Sequence, residues 1–408
     1  MKVLISGYNF YPELTGIGKY TGEMAEWMQK NGHEVSVICS VPYYPNWEIS
    51  NKYKRRLFVK EDYKGIKVYR SYLFVPKDGS PIGRLFLEIS YLITSFFSFL
   101  RVKVYKDRFD IVVSVCPSFL SPLYPMLFFP KSLHVIHIQD LQIDAARKLK
   151  MVNSSFFFRL IYKIEKYFLT KAKIVTTISE GMKKIIETKN IRKSVKVIPN
   201  WTDLDFFSQS INKIDYRQKW KFKYDDLVFL YSGNLGEKQG LESIIYVANE
   251  IKDRRFKFLI VGEGVSKNNL IKMKNDLNLD NLFFYGLQPY EYLPDLLRMA
   301  NFHLIVQKSD TSDLVLPSKL ISILSVGGVP IATALPNSSL SKILKENKIG
   351  ILCDPDNYLD LKTAVTFVSN LDDKEYKKLS KNAFSYAKQN LDINFVLSNL
   401  LKEIENVS

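Results

Sequence analysis

Residues 229–240 read FLYSGNLGEKQG, and this stretch decides the class of fold. An apolar run turns at Gly233 into a loop that closes at Gly240, and a helical pattern follows over Leu241–Lys252. A strand that passes through glycines into a helix is the opening unit of a doubly wound α/β domain. Glycines let the backbone approach a phosphate, and a helix start beside Lys238 favours an anion, so we predict a diphosphate site. The alternative is a structural turn with a solvated lysine. The G-x-x-x-x-G-K-[ST] spacing of a P-loop is not met.

Short runs rich in Val and Ile alternate with helical patterns along the whole chain. The strands expected in the first half are Lys2–Ser6, Val35–Cys39, Lys67–Tyr69, Ile111–Val115, Leu133–Ile138, Ile174–Ile178 and Val195–Ile198. Those expected in the second half are Val228–Ser232, Lys257–Val261, Leu282–Tyr285, Phe302–Val306, Val329–Ala332 and Gly350–Cys353. Apolar strands between helices indicate parallel sheets covered on both faces, so the pattern predicts two Rossmann-like α/β domains.

The domain boundary is expected near residues 199–203, where a strand ends in turn residues. A chain of 408 residues suits two domains of about 200 residues each. We predict a first domain over 1–200, a second over 201–385, and a C-terminal helix over 386–408 that packs back on the first domain.

Two further segments of the second half suit an anion. Gly262-Glu263-Gly264 ends a strand at the sheet edge where ligands bind. Pro317-Ser318-Lys319-Leu320 opens a helix, so Ser318 and Lys319 stand at a second helix start. Two lysines at separate helix starts, Lys238 and Lys319, fit a diphosphate better than a lone carboxylate.

The loop after the first strand holds Thr15-Gly16-Ile17-Gly18 before the helix from Tyr20 to Lys30. Gly16 and Gly18 are expected to let the backbone approach a phosphate. A dinucleotide fingerprint needs its glycines directly after the strand and an acidic residue about 20 residues on. Here the glycines come late and the second strand ends in Cys39-Ser40, so NAD binding is not expected.

Charge is divided unevenly along the chain. The net charge is +16, with 32 Lys and Arg against 16 Asp and Glu in residues 1–200, and 26 against 26 in the remainder. The first half should therefore attract a polyanion, either an anionic membrane or nucleic acid. The N-terminus has no signal-peptide pattern, the three cysteines form no CxxC pair, and the four histidines are scattered, so a cytoplasmic protein with no metal cluster is expected.

Two helical segments of the first half have a membrane-surface pattern. Leu85–Val104 contains a continuous apolar stretch over residues 89–100, shorter than the roughly 20 residues that span a bilayer. Phe156–Lys173 interleaves aromatic and basic residues, as an interfacial helix does. The alternative for each is a core helix with one solvated face.

These motifs resemble a known family. GNLGEKQG at 233–240, the Gly262-Glu263-Gly264 turn and Pro317-Ser318-Lys319 with Gly328-Val329-Pro330 resemble the C-terminal domain of GT-B glycosyltransferases of family 4. The opening of the chain and His137-Ile138-Gln139-Asp140-Leu141 resemble the N-terminal domain of its colanic-acid and O-antigen subgroup. The resemblance covers essentially the whole chain.

The resemblance implies a nucleotide-sugar donor on the second domain and an acceptor on the first, reacting in the cleft between them without a metal and with retention of configuration. It assigns donor contacts to Gly16, Gly18, Gly233, Asn234, Gln239, Gly262, Glu263, Pro317, Ser318 and Leu320. Lys238 and Lys319 would stabilise the leaving diphosphate. Asp140 would accept the acceptor hydroxyl's proton or stabilise a cationic transition state. His137 and Thr15 are secondary acceptor-side candidates, and His137 is more typical of a packed strand residue.

Some positions depart from the family pattern. Asn234 stands where most members have arginine, and Gln239 stands where they have lysine, with Lys238 one residue early. The glutamates spaced eight apart before G-x-P fall on Val315 and Ile323. Ser318, Lys319, Asp310 or Asp313 are then the candidates for the donor's hydroxyl contacts. Asp203-Leu204-Asp205 resembles a D-x-D metal motif, but its position at the domain boundary favours a turn.

The resulting hypothesis is a hexosyl-type glycosyltransferase that moves a UDP- or GDP-linked sugar to a lipid-linked, polyprenyl-diphosphate saccharide in bacterial capsule, O-antigen or exopolysaccharide synthesis. It needs no cofactor and lies on the inner face of the cell membrane, with no nucleic-acid partner. The alternatives are a sugar-nucleotide epimerase of the same fold, a non-catalytic nucleotide-sugar-binding protein, and a nucleic-acid-binding protein suggested by charge alone.

Overall fold

The computed structural model describes residues 1–13, 16–44, 46–76, 81–105, 108–144, 155–191, 193–208, 214–309 and 316–407. The chain divides into two compact units, Met1–Pro199 with Leu397–Ser408 and Asn200–Val396. Each unit has its own parallel sheet. The expected α/β class with two Rossmann-like domains is confirmed.

The first unit is built on an eight-stranded sheet in the order β3-β4-β2-β1-β5-β6-β7-β8. Its strands are β1 Lys2–Ser6, β2 Glu34–Ser40, β3 Phe58–Tyr63, β4 Ile66–Ser71, β5 Ile111–Cys116, β6 Leu133–Ile138, β7 Ile174–Thr177 and β8 Lys196–Val197. Its helices are α1 Gly16–Lys30, α2 Pro81–Val104, α3 Leu123–Phe128, α4 Ser155–Lys171 and α5 Glu180–Glu187. The strand order reverses between β1 and β5, and ligands bind beside the carboxyl ends of strands at such a switch point.

The second unit has a fully parallel six-stranded sheet in the order β11-β10-β9-β12-β13-β14. Its strands are β9 Leu227–Ser232, β10 Phe256–Val261, β11 Leu282–Tyr285, β12 Phe302–Ile305, β13 Val329–Thr333 and β14 Ile351–Cys353. Its helices are α6 Leu204–Ser208, α7 Tyr216–Lys219, α8 Glu242–Glu250, α9 Lys267–Asp276, α10 Leu293–Arg298, α11 Ser318–Ser325, α12 Ser339–Asn347, α13 Tyr358–Ser369 and α14 Asp373–Asn390, with 3-10 turns at Glu237–Gln239 and Tyr290–Tyr292. The switch point lies between β9 and β12.

The apolar strands form the cores. In the second unit, Phe229 on β9 stacks its ring on Phe256, Phe258 and Phe302 of the two neighbouring strands, at centroid distances of 5.5, 5.3 and 5.4 Å. All four rings are buried, because a parallel sheet is covered by helices on both faces. The central strands are therefore fixed beneath the loops that extend from their carboxyl ends.

Strand β3 is the strand that the sequence analysis missed. It pairs antiparallel with β4, and its residues alternate between exposed and half-buried. The turn is Lys64-Gly65, with φ values of 51° and 84°. Two consecutive residues with positive φ form a type I′ hairpin turn, so Lys64-Gly65 was the available sequence indication.

The C-terminal segment differs from the expected boundary at residue 386. Helix α15, Ile393–Glu405, follows α14, and residues up to Val396 belong to the second unit. The reason is a short β-bridge, in which Thr202 donates its N–H to Leu391 and accepts the N–H of Ile393. Only Leu397–Ser408 group with the first unit, where Glu403 pairs with Lys196 at 3.1 Å.

Helix α2 is longer than the apolar stretch from which it was predicted. Within the described residues, one helical segment has the length and composition needed to cross a membrane. It is Gly83–Val104 of α2, with a mean hydropathy of 1.5. The expectation that this segment is too short was therefore wrong. Its length alone does not decide its role, because the buried face of α2 packs on the first sheet.

Candidate functional site

The loop after β9 packs tightly against the loop after β10. A Cβ on Gly262 would lie 1.9 Å from the Gly233 carbonyl oxygen, and one on Gly264 would lie 2.4 Å from the Leu235 carbonyl oxygen. Neither position accepts a larger residue without moving a backbone. The Gly262-Glu263-Gly264 turn therefore supports the loop that begins at Gly233.

Hydrogen bonds fix the same two loops together. Gly233 donates its N–H to Val261 at 3.0 Å, and Leu235 donates to Glu263 at 2.9 Å. The Tyr231 hydroxyl donates to the Asn234 carbonyl at 2.7 Å. The N–H groups of Gly233 and Leu235 are thus already bonded within the protein, and Asn234 is the exposed residue between them.

Lys319 lies in the first turn of α11 and reaches the same loop. Its Nζ stands 3.8 Å from the centroid of the Tyr231 ring, and a Cβ on Gly233 would lie 3.6 Å from that nitrogen. Burial lowers the pKa of Lys319 to about 7. No carboxylate among the described residues lies within salt-bridge distance of it. The arrangement holds a cationic group at the switch point of the second sheet, where an anion would complete its solvation.

Lys238 and Gln239 lie on the short 3-10 turn that follows. The Lys238 side chain is exposed, and its carbonyl accepts the N–H of Lys308 at 3.1 Å. The Gln239 Oε1 is buried and has no hydrogen-bond partner in the described part of the chain. Gly240 closes the turn with φ of 62°, a conformation that favours glycine.

The remaining residues predicted to contact the donor differ in their exposure and in their free polar groups. Ser318 is exposed at the start of α11, and Pro317 precedes it as the N-cap residue. Leu320 is buried in the core and its N–H donates to the Pro317 carbonyl, so it contributes packing and no free polar group. Glu263 is exposed and pairs with Lys267 at 2.7 Å.

The first unit contains a cavity of about 320 Å³ at the carboxyl edge of its sheet. Its lining combines aromatic, acidic and amide side chains with one guanidinium, one glycine and three other apolar residues: Tyr8, Asn9, Gly16, Ile17, Tyr43, Tyr44, Trp47, Arg84, Leu87, Glu88, Pro117, Asp140 and Gln142. The lining comes from the loops after β1, β2, β5 and β6, from the first turn of α1 and from α2, around the switch point of the first sheet. This volume lies at the lower end of the range of small-molecule pockets, about 300–1,000 Å³.

Two carboxyl groups line that cavity. Burial raises the pKa of Asp140, and the Leu141 N–H and the Arg84 charge lower it in part. Burial also raises the pKa of Glu88, whose Oε2 accepts the Ser118 hydroxyl at 3.1 Å. With the Gln142 amide turned to satisfy its neighbours, its nitrogen donates to Glu88 at 2.9 Å. The acidic pair and the aromatic wall suit the hydroxyl groups and ring faces of a sugar.

Glu13 is a third carboxylate that the sequence analysis missed. Its Oε1 accepts the N–H groups of Tyr43 and Tyr44, each at 2.9 Å, and its Oε2 accepts the Asn9 amide at 2.8 Å. It therefore joins the loops after β1 and β2 that line the cavity. A Cβ on Gly18 would lie 2.7 Å from the Glu13 Cβ, so Gly18 serves this close packing.

His137 lies within β6 and is fully buried. It bonds to the Thr176 hydroxyl at 2.8 Å and to the Gln139 side chain at 2.9 Å. Burial lowers its pKa to about 4, so the ring is neutral at physiological pH. Its contacts belong to the sheet rather than to the cavity. Thr15, Asp310 and Asp313 lie outside the described residues.

The structure thus brings the predicted residues together in two groups. In the second unit, Gly233, Asn234 and Gly262 stand with Lys319, and Tyr231 was not predicted. In the first unit, Gly16 and Asp140 line the cavity, whereas Glu88 was not singled out, because a glutamate in an apolar helix carries no motif. Asp203, of the D-x-D sequence, accepts the N–H groups of Asp205 and Phe206 as a helix start does.

Comparison with known proteins gives the same division of the chain. Residues 14–206 match the family model described as Glycosyltransferase Family 4, and residues 212–386 match that of Glycosyl transferases group 1. The Escherichia coli (strain K12) protein named "Putative colanic acid biosynthesis glycosyl transferase WcaI" is 36% identical over an alignment of 414 positions, which covers 99% of this chain and 100% of that protein.

Solved structures share the fold at low sequence identity. The sucrose-phosphate synthase from Thermosynechococcus elongatus has a TM-score of 0.71 at 16% identity, over 100% of both chains. HepE from Anabaena, solved in complex with UDP, has a TM-score of 0.72 at 13% identity, also over 100% of both chains. With the full-length relative and the two family models, these neighbours lead to one assignment: the chain is a glycosyltransferase and belongs to family 4 of the GT-B fold.

Proposed function

We propose that this glycosyltransferase transfers a sugar from a UDP- or GDP-linked donor to a lipid-linked saccharide during synthesis of a bacterial surface polysaccharide. The observation that supports donor binding is the position of the Lys319 ammonium, which lies beside Gly233 at the switch point of the second sheet. The colanic acid pathway in the name of the full-length relative supports the choice of polysaccharide synthesis.

The donor's diphosphate is proposed to bind at the start of α11. A helix start and an ammonium group both favour an anion, and the low local polarity strengthens their attraction to it. Lys238, exposed on the 3-10 turn that follows Gly236, supplies a second positive charge. The two lysines take the charge-neutralising role that a metal ion has in other transferases, so we propose that no metal is required.

The acceptor saccharide is proposed to bind in the cavity of the first unit. The two carboxyl groups accept hydrogen bonds from hydroxyl groups and outnumber the one guanidinium of the lining, that of Arg84, so the cavity suits a neutral saccharide better than a diphosphate. Gly16, one of the predicted donor contacts, lines this cavity, so we propose that it serves the acceptor instead. Asp140 is then the group that orients the reacting hydroxyl or stabilises a cationic sugar.

The proposed transfer retains the configuration of the sugar. The bond between the anomeric carbon and the diphosphate oxygen breaks, and the acceptor's hydroxyl oxygen bonds to that carbon on the same face. The hydroxyl proton passes to the leaving phosphate oxygen. Lys319 stabilises the charge that develops on the diphosphate, which is the part of the reaction where a fixed cation is most effective.

The site of action is proposed to be the cytoplasmic face of the cell membrane. Residues 1–200 carry 32 basic against 16 acidic residues, and the inner leaflet is anionic. A lipid-linked acceptor is confined to that surface, so attraction of the basic half to the leaflet brings enzyme and acceptor together.

The test is product analysis with a panel of UDP- and GDP-sugars and lipid-linked acceptors. We expect one donor to give a glycosylated lipid, without added metal and with chelator present. Loss of transfer in a folded Lys319→Ala or Lys238→Ala variant supports the phosphate role. Conversion of the donor to an epimer would replace the proposal with an epimerase, and tight binding without turnover would replace it with a sensor.

A further inference from the structure

The outer face of helix α2 is an exposed apolar ridge. Large apolar side chains recur along it within an arc of about 120°, at about 100° per residue. They are Leu85, Phe86, Ile89, Ile93, Phe97, Leu100 and Val104, and each is between 40% and 68% exposed. An exposed apolar patch of this extent on a globular unit marks a surface that meets a partner or a membrane.

The ridge continues onto the neighbouring edge strand. The ring of Phe97 packs edge-on against Phe58 at the start of β3, at a centroid distance of 5.9 Å. Phe58 and the preceding Leu57 are themselves 40% and 60% exposed. The ridge, defined as these two residues with the seven of α2, is therefore a surface of two elements rather than the side of a single helix.

The inner face of α2 is bonded to the sheet, which argues against a membrane-spanning role. Ser98 shares a hydrogen bond of 2.7 Å with Ser71 of β4, and Tyr91 donates its hydroxyl to the Gly7 carbonyl at 3.3 Å. Both side chains are buried together with Val102. A helix that crossed the bilayer would lose these contacts, so the structure supports a helix that lies on a surface.

The charges around the ridge are positive. Arg101 and Lys103 are exposed on either side of its C-terminal half, and Arg55 and Arg56 are exposed beside Leu57. The one acidic residue of α2, Glu88, is bonded to Ser118 on the cavity side. An apolar stripe with basic borders is the pattern of a helix that lies in the headgroup region of an anionic membrane.

A second copy of the chain fits this surface less well. In a two-fold dimer the same patch faces itself, so Arg101 and Lys103 would approach the same residues of the other copy. Nothing acidic among the described ridge residues would offset that repulsion. Anionic headgroups offset it directly, so charge complementarity favours the membrane.

We propose that the ridge inserts into the headgroup region of an anionic bilayer leaflet, with α2 parallel to the membrane plane. The inference rests on the proposed lipid-linked acceptor and adds the surface that meets the lipid. Leu87 and Glu88 on the inner side of α2 line the acceptor cavity. A helix is about 10 Å thick, so this orientation holds the cavity one helix diameter from the headgroups, within reach of a membrane-bound saccharide.

The experiment is flotation of the full chain with vesicles of phosphatidylethanolamine and phosphatidylglycerol, with phosphatidylcholine vesicles for comparison. The test variant is Ile93→Glu with Phe97→Glu. The matched control is Leu160→Glu with Tyr167→Glu on the exposed face of α4, the other helix with a membrane-surface pattern. All four side chains are exposed, so both variants are expected to fold, which circular dichroism checks.

We expect the unmodified chain and the α4 variant to float with the anionic vesicles and the α2 variant to lose at least about tenfold in partitioning. Equal binding by the α2 variant, or loss confined to the α4 variant, would overturn the inference. The inference would also be overturned if the unmodified chain bound no vesicles and instead sedimented as a dimer that the α2 substitutions dissociate. UDP affinity, measured on the same samples, distinguishes a failure of the membrane inference from a failure of the proposed function. The α2 variant should bind UDP as tightly as the unmodified chain does.

Discussion

The surroundings of Lys319 change the pKa of its ammonium group. Its ammonium faces the Tyr231 ring at 3.8 Å, and burial holds its pKa at about 7 rather than at its ordinary value near 10.5. The free amine therefore loses its proton at a much lower pH than an exposed lysine does. An anionic ligand binds the protonated form, so ligand binding and proton uptake are linked.

That linkage gives a pH prediction for donor binding. Above about pH 7 the free amine loses its proton, and UDP affinity should fall by up to about tenfold per pH unit until the pKa of the liganded state is reached. Calorimetry in buffers of different ionisation enthalpy should show proton uptake. The control is Lys319→Arg, whose guanidinium stays charged and should remove the pH dependence. A UDP affinity that is constant above pH 7 in the unmodified protein would contradict the account.

Gly264 gives a second prediction at the residue scale. In Gly264→Ala the new methyl would lie 2.4 Å from the Leu235 carbonyl oxygen, so one of the two loops must move. We expect a loss of about 1–3 kcal/mol in the free energy of unfolding, measured in urea, with weakened UDP binding. In Gly22→Ala, within α1, the methyl meets only ordinary contacts with Tyr11, so stability should stay equal or rise by up to about 1 kcal/mol. Equal effects of the two substitutions would refute the packing argument.

At the scale of elements, a buried ion network holds the segment that follows Asp140. The Lys189 ammonium, just beyond α5, pairs with Asp144 at 2.8 Å and with Glu165 of α4 at 2.7 Å. The Tyr162 hydroxyl also donates to Asp144, at 2.9 Å. All three charged side chains are largely buried, so each depends on its partners.

Removal of the cation from this network should therefore be costly. Lys189→Met leaves two enclosed carboxylates without a counter-charge, and we expect a loss of about 3–5 kcal/mol in the free energy of unfolding. Adding Glu165→Gln to that variant should restore part of the loss, since one of the two charges is then absent. Urea unfolding of Lys189→Met and of the double variant Lys189→Met with Glu165→Gln measures both effects. A Lys189→Met variant as stable as the unmodified protein would show that the network contributes nothing to stability.

The strands could be predicted from the sequence because their side chains are nearly all buried. Lys2–Ser6 and Leu133–Ile138 agree with the predicted bounds to the residue, as continuous apolar runs mark strands covered on both faces. The edge strand Leu282–Tyr285 also agrees to the residue, because its run is apolar although only Leu282 is fully buried. The exposed edge strand β3 has no such run. The sequence indication of β3 was instead its two-residue hairpin turn, Lys64-Gly65.

The candidate sites were less predictable, because their contacts join distant residues. Lys319 was found from its place at a helix start, but its contact with Tyr231 depends on how the ends of β9 and α11 meet. Glu88 and Glu13 have no motif around them. Their importance comes from the cavity that the first sheet forms at its switch point.

At the scale of the whole molecule, the proposed function assigns the donor to the second unit and the acceptor to the first. In the second unit, Lys319 and the loop that begins at Gly233 provide the cationic group that a diphosphate needs. The first has an acidic, aromatic cavity, and α2 lies between that cavity and the apolar ridge. This division agrees with the charge distribution, since the basic excess lies wholly in the half proposed to meet the membrane.

The central claim is that the loop beginning at Gly233 and the Lys319 ammonium together bind the donor's diphosphate. Calorimetric titration of UDP and GDP into the unmodified chain and into Lys319→Ala tests it most directly. We expect one nucleotide to bind the unmodified chain and the variant to bind it at least about tenfold more weakly, with an unchanged unfolding midpoint. Equal affinity of the folded variant for that nucleotide would contradict the account.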